Sequence, residues 1–362
     1  MNNPYYLLCK TGDAEFRCLE NLSPKALNIL HPIIEITRGR KIRNKEEYPI
    51  NGKVERICNI FKGHSICIDV TSNPRLSSPE TDSLYDPTNG YQNWCNLTLS
   101  IKDKIGAGEV VPCILANFND SNFISNYRIQ VENLTRNFKA IAYRSSIKDD
   151  GYLDDLSIIK PYLHYKGQCL FIIDCEFLPS GSLHSFVNKI ISRIQTVSKF
   201  LNDCVQFTIC GTSFPNNVGE IGNDHSDSLR IYEIDLYKKI KESISPDIII
   251  HYGDYGSIGP QRNDDIVMAH GWIPRIDVPT ESEIYYYRER CTLVRKYAET
   301  YMVVAKSAME DSRFPATLSC WGISQIKTCA EKGAPGSSPS FWISVRMNIY
   351  IEQQKKRLKY NS

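Results

Sequence analysis

Residues Cys169–Asp174 read CLFIID, five apolar residues in succession closed by an acid. A strand that is apolar at every position has both faces covered, which marks a parallel sheet wrapped in helices rather than a hairpin with one wet side. Seven further runs of this type flank it. Upstream are Tyr5–Lys10 (YYLLCK), Pro32–Glu35 (PIIE), Ser65–Asp69 (SICID), Val110–Asn117 (VVPCILAN) and Ala140–Arg144 (AIAYR); downstream are Val205–Thr212 (VQFTICGT) and Asp247–Asp254 (DIIIHYGD). Each stops at a polar or charged residue, and each gap is long enough for a helix. Eight such units in a row predict an α/β fold, a (β/α)8 TIM-like barrel over residues 1–260. Residues 261–362 then form a C-terminal extension, a hairpin or lid plus helices, packed on the barrel.

Apolar residues at helical spacing place the crossovers. Asp13 is set to cap a helix through Ala14, Phe16, Leu19 and Leu22, and further helices fall at Val54–Phe61, Tyr91–Ile105, Asn122–Phe138, Tyr152–Tyr165, Ser182–Leu201 and Ser228–Ile244. Two polar stretches without periodicity, residues 71–89 and Phe214–Asp227, follow strand ends, where barrels carry their substrate loops. In the extension, Trp272–Val278 and Glu283–Tyr287 look like a hairpin around Pro279. Leu293–Met309 reads as a helix, Gly333–Ser340 as a linker and Phe341–Leu358 as an amphipathic helix.

Composition narrows the function classes. A formal charge of +2 over 362 residues argues against a surface that coats nucleic acid, and short basic runs at Arg38–Lys45 and Lys355–Lys359 suit solvated ends. Thirteen cysteines occur without any Cys-x-x-Cys pair, which removes the common zinc-ribbon and thioredoxin patterns. The odd number and the absence of a secretion signal place the chain in a reducing, cytoplasmic setting. No stretch approaches the length of about 20 apolar residues that spans a bilayer.

If strand ends face one opening, that rim gathers Lys10, Glu35, Asp69, Asn117, Arg144, Asp174, Thr212, Ser213 and Asp254. Buried carboxylates need a partner, so this gathering has three readings. The acids share catalytic acid–base work, or they hold a divalent cation (Mg²⁺ or Mn²⁺), or they form a charge network with Lys10 and Arg144. In the run HYGDY, Gly253 permits close backbone approach, and Tyr252 and Tyr255 could stack on a sugar or base or simply cap the barrel. The run GTSFP offers the Thr212 and Ser213 hydroxyls and backbone NH groups to a nucleotide or another phosphorylated ligand. Arg275 is a further cation for the same opening. No Walker A, GxGxxG, GxSxG or HExxH motif is present.

Several of these blocks together resemble the phage and prophage beta-protein family. They are the opening Tyr5, Leu8, Lys10, Gly12, Glu15, Ala26 and Leu27 followed by HPIIEI, then CLFIID, CGTSFP, IHYGDYG, and finally CWG with SFWISVRMN. The first block is the loosest, with Cys18 where a smaller residue is usual. The resemblance covers nearly the whole chain. It implies a genetic context more than a reaction: members occur in phages, prophages and phage satellites, one beside a killer gene in a cassette linked to anti-phage defence. It therefore implies a defence or toxin-control component whose partner protein is encoded in the same cassette, and it transfers no catalytic residue. Trp321, Gly322, Phe341, Trp342, Arg346 and Asn348 belong either to a helix covering the barrel or to a partner surface.

Two functions follow. One is a barrel hydrolase or phosphodiesterase in which Glu35, Asp69, Asp174 and Asp254 share metal and proton chemistry while Lys10 and Arg144 neutralise developing charge. The other is a non-enzymatic sensor or immunity protein that binds a ligand, a phage component or a toxic partner. Acids left bare favour the first; acids already answered by Arg144, Lys10 and Arg275 favour the second.

Overall fold

The computed structural model describes residues 4–216, 218, 224–261 and 271–358. Its strands are β1 (Tyr5–Lys10), β2 (Leu30–Ile36), β3 (Ile66–Val70), β4 (Val110–Pro112), β5 (Ile141–Ser146), β6 (Cys169–Phe177), β7 (Val205–Thr212), β8 (Ser226–Arg230), β9 (Ile250–Asp254), β10 (Arg275–Pro279) and β11 (Glu283–Arg288). Eight of them form one parallel sheet in the order β4-β3-β2-β1-β9-β7-β6-β5. An isolated parallel bridge between Cys113 and Ala142 brings its two ends together, with Ile114 N donating to Ala142 O at 2.9 Å. The fold is thus the (β/α)8 barrel that the apolar runs imply. The seam is its thinnest point. Residues Val110–Asn117 were expected as one strand, but only Val110–Pro112 pair regularly, because Pro112 has no NH to give the ladder.

Side chains alternate between barrel interior and helix-covered exterior. Tyr6, Leu8, Ile33, Cys67, Cys113, Ala142, Leu170, Ile172, Cys210 and Tyr255 form the inner core, and Tyr5, Leu7, Ile34, Ile68, Phe171, Phe207 and Tyr252 belong to the outer one. Gly253 is inward and has no room for more: a Cβ there would lie 2.6 Å from Cys210 Sγ and 2.9 Å from Thr208 Oγ1. All thirteen cysteines are free, and all but Cys204 and Cys291 are buried. Among the described residues no helix is long and apolar enough to cross a membrane.

Three local expectations need correction. Asp13 is the first helical residue and does not cap; the helix is Asp13–Glu20 and its N-cap is Gly12. Residues 71–89 are partly helical: Ser78 and Thr81 form a capping box that starts a short turn at Pro79–Asp82. Ser226–Arg230 is a strand, not the start of the helix, which runs Glu233–Ser243. It pairs antiparallel with β11, which pairs with β10, so the expected hairpin gains a third, polar edge strand from beside the barrel.

Helices Tyr297–Glu310, Trp321–Lys332 and Pro339–Glu352 complete the extension around their own core of Ile276, Val278, Tyr285, Tyr301, Ile326, Trp342 and Val345. The last of them starts with Ser338 accepting from Phe341 N, and Pro339 takes the first turn, where its missing NH costs nothing. It is not amphipathic. Trp342 and all of Ser344–Ile351 are buried, because the helix lies between the barrel's first helix and β10. Asn348 ties the two sides by accepting from Gly322 N at 2.8 Å and donating to Asn21 O at 2.9 Å, so the CWG block and this helix serve packing.

Candidate functional site at the barrel mouth

The inward parity of five strands delivers Lys10 (β1), Glu35 (β2), Asp69 (β3), Arg144 (β5) and Asp174 (β6) to one opening at the strands' C-terminal ends. Arg144 is the hub. Its Nη1 donates to Glu35 Oε2 and to Asp69 Oδ2, both at 2.9 Å, while Nε and Nη2 reach Asp174 Oδ2 at 3.0 and 2.8 Å. One guanidinium therefore links three strands besides its own. The three carboxyl side chains are more than nine-tenths buried, whereas 23% of the Arg144 side chain stays exposed. Lys10 Nζ lies 3.9 Å from Glu35 Oε1 and donates to Pro260 O at 2.9 Å. Tyr255 closes the network from the far side, its hydroxyl donating to Asp174 Oδ1 at 2.5 Å.

Two of the acids share one nitrogen and respond in opposite directions. Burial alone would raise Glu35, but the charges of Lys10 and Arg144 outweigh it and hold this carboxyl below its usual range. Burial raises Asp69, and the Glu35 charge adds to it, so that even with Arg144 alongside the group sits above its usual range. Burial would weaken the Arg144 proton, yet Asp174 and Glu35 more than reverse this and keep the guanidinium charged. Among the described residues no three His, Cys, Asp or Glu side chains are grouped to hold a metal ion. The acids turn to the guanidinium instead.

Other residues expected at this opening lie elsewhere. Asp254 and Tyr252 have outward parity. Asp254 is fully buried behind the barrel wall, accepting from Tyr5 Oη (2.5 Å), Tyr252 Oη (2.7 Å), Gln354 Nε2 (2.7 Å) and Gly256 N (2.8 Å). Ser213 is also outward, its hydroxyl donating to Glu233 and accepting from Tyr232 N, so the GTSFP run has no free hydroxyl there. Thr212 is inward but fully buried, accepting from Phe214 N. Asn117 sits beside the opening as a loop brace, donating to Tyr85 O at 3.2 Å. Arg275 is in the second sheet, paired with Asp277. Part of the Phe214–Asp227 segment lies outside the described residues, as does Lys359 of the basic run.

Two residues carry more than their sequence context suggested. Tyr85, in the stretch read as structureless, donates to Val70 O at 2.8 Å and lies within electrostatic reach of Asp69, Glu35 and Arg144. Glu233 is buried under Ser213 and Tyr350, and burial pushes its carboxyl up to about 7. An acid directly after a strand-end loop was the available signal for Glu233; nothing local marks Tyr85.

Comparison with known proteins gives a wider frame. The chain is 25% identical over 357 residues to protein beta of Enterobacteria phage P4, covering 98% of this chain and 93% of that protein. Among solved structures, it is similar to the catalytic domain of a Bacillus sp. JAMB-750 GH26 endo-beta-1,4-mannanase (TM-score 0.42, 11% identity, 70% of this chain and 78% of that one). It is also similar to a GH5-4 broad-specificity endoglucanase from an uncultured bacterium (TM-score 0.45, 10% identity, 71% and 87%). The profile of the family described as Beta protein matches residues 5–356, nearly the whole barrel and extension, and the chain belongs to that family.

Proposed function

We propose that this chain is a non-enzymatic binding component of a phage- or prophage-encoded anti-phage defence or toxin-control module, and that the barrel mouth is its sensing surface for a ligand, phage component or toxic partner. One observation carries this: the mouth acids are already answered by Arg144, whose side chain still keeps 23% of its surface exposed. A ligand that competes for this cation, or inserts its own, would redistribute bonds among four strands at once. Such a network suits a two-state sensor. The similarity to protein beta of a phage supports the genetic context.

The test is phage challenge of cells carrying the full chain, with capture of the neighbouring gene's product. Asp174→Asn, checked for an intact fold, is expected to abolish protection or partner control. Protection that survives would remove the mouth from the function.

A second reading, a hydrolase or phosphodiesterase, draws on the opposed behaviour of Glu35 and Asp69, since environments that separate two carboxyls are how acid and base roles arise. In it Asp69 donates a proton and Glu35 stays ionised. Turnover of a nucleotide or phosphodiester by the purified protein with Mn²⁺, lost in Asp69→Asn, would establish it over the sensor.

A further inference from the structure

The positive charge of this chain is concentrated in one loop. Residues 38–48, RGRKIRNKEEY, hold five cations and two acids, an excess of three positive charges, whereas the whole chain carries +2. The loop begins three residues past Glu35, at the C-terminal end of β2, and so leaves the same rim as the Arg144 network.

This run is an ordered structure. Gly39 N donates to Tyr48 O at 3.1 Å and Ile42 N to Glu47 O at 2.9 Å, which pairs the two arms. Lys45 N donates to Ile42 O at 3.1 Å, and Asn44 takes a positive φ of 64° at the turn. The arms meet closely at the base, where a Cβ on Gly39 would collide with Pro49 O. Three contacts fix that base: Arg38 N to Leu76 O at 2.7 Å, Lys53 Nζ to Arg38 O at 2.6 Å and Ile50 N to Glu80 Oε2 at 2.9 Å. A loop held in this way has little left to order on binding.

Its cations are accessible and weakly held. Side-chain exposure is 90% for Arg40, 46% for Lys41 and 59% for Lys45, and Arg43 is exposed as well. Arg40 meets Asp13 at 3.6 Å, Lys45 meets Glu47 at 3.5 Å, and Lys41 pairs with Glu46. Exposed pairs of this kind are worth about 0–1 kcal/mol, so a phosphate replaces them at small cost. Arg38 and Lys41 both lie over the Tyr48 ring, 5.5 and 5.8 Å from its centroid, which gathers them at the stem. Three of the five cations are arginines, whose planar donor pairs match phosphate oxygens. The turn residues Arg43, Asn44 and Lys45 are polar, and Ile42 is 37% exposed, too little apolar surface to seat the loop in a bilayer.

We propose that residues 38–48 are a contact for the phosphodiester backbone of a nucleic acid, held by Arg38, Arg40, Lys41, Arg43 and Lys45 without readout of sequence. The low net charge is compatible with this, because a sum over the chain reports a coating surface and not a local contact. In the sensor reading, on which its role rests, nucleic acid is then the phage component that this rim meets.

The test is fluorescence anisotropy of a labelled strand of about 20 nucleotides, and of its duplex, with the full chain in about 50 and about 200 mM salt. Wild type is expected to bind at the lower salt. With about three phosphates neutralised, the higher salt should weaken binding about twentyfold for the single strand and about fortyfold for the duplex. The double variant Arg40→Glu with Arg43→Glu should keep the wild-type melting temperature, bind at least about tenfold more weakly and show a flatter salt dependence. Arg43→Gln alone should cost severalfold. Tighter binding of one form assigns the contact to strand or duplex, and equal binding assigns it to the phosphates alone. Four results would overturn the contact: no salt-dependent binding by wild type, unaltered binding by the double variant, competition by polyglutamate as strong as by unlabelled nucleic acid at equal charge, or tighter binding to phosphatidylglycerol vesicles. If nucleic acid binds wild type and not the double variant, yet the variant still protects cells from phage, the contact stands and the sensor role falls. If wild type protects cells without binding nucleic acid, the contact falls and the sensor reading stands.

Discussion

Tyr5 and Asp254, 249 residues apart, meet in a 2.5 Å hydrogen bond behind the barrel wall. This contact ties β1 to the end of β9, and Gln354 brings the C-terminal segment to the same carboxylate. Asp254, expected among the rim acids, is a buried fastener between the barrel and its extension.

Asp254→Asn should therefore lower stability rather than alter a site. Four donors converge on two oxygens, and an amide turns one acceptor into a donor facing them. The expected loss is about 1–3 kcal/mol, the penalty for an unsatisfied buried polar group. Equilibrium denaturation measures it. A variant as stable as wild type would show that the four bonds contribute nothing.

Arg144→Met should be more severe at neutral pH. It leaves Glu35, Asp69 and Asp174 buried with Lys10 as the nearby cation among the described residues, and removing one partner of a buried charge network costs about 3–5 kcal/mol. Without the guanidinium, which lowers both groups, Glu35 and Asp69 favour protonation and their folded pKa values rise. Part of the loss should then return on acidification from pH 7 to about 5. Denaturation curves for wild type and variant at both pH values test the sign.

Glu233 makes wild-type stability pH-dependent. Burial raises it from 4.5 to about 7, partly offset by Ser213 and Tyr350. The folded chain holds this proton more tightly than the unfolded chain. Its contribution is therefore fully present below about pH 4.5 and fades as pH rises through about 7, by about 3 kcal/mol in all. Glu233→Gln should flatten this part of the stability profile between pH 5 and 8. An unchanged slope would assign the dependence to other groups.

The sequence disclosed the barrel because apolar runs such as CLFII, at Cys169–Ile173, report burial on two faces. It also brought Lys10, Glu35, Asp69, Arg144 and Asp174 to one opening. It misplaced Asp254 and Ser213 because being last in a strand does not decide inward or outward. The parity was available: Ile248, Ile250 and Tyr252 form the outward stripe, and Asp254 continues it. For Ser226–Arg230 no local pattern existed. A polar, mostly exposed strand is specified by its distant partner β11, and long-range pairing of that kind leaves no periodic mark.

The helix Pro339–Glu352 carries a consequence for how the chain matures. Its residues cover the first βα unit, with Glu352 accepting from Ser23 N and Oγ at 2.6 and 2.8 Å. The first βα unit thus waits, incompletely covered, until a helix whose end lies 329 residues further along has been made. A chain cut short before Pro339 leaves the barrel with an open flank, which quality-control proteases would be expected to clear.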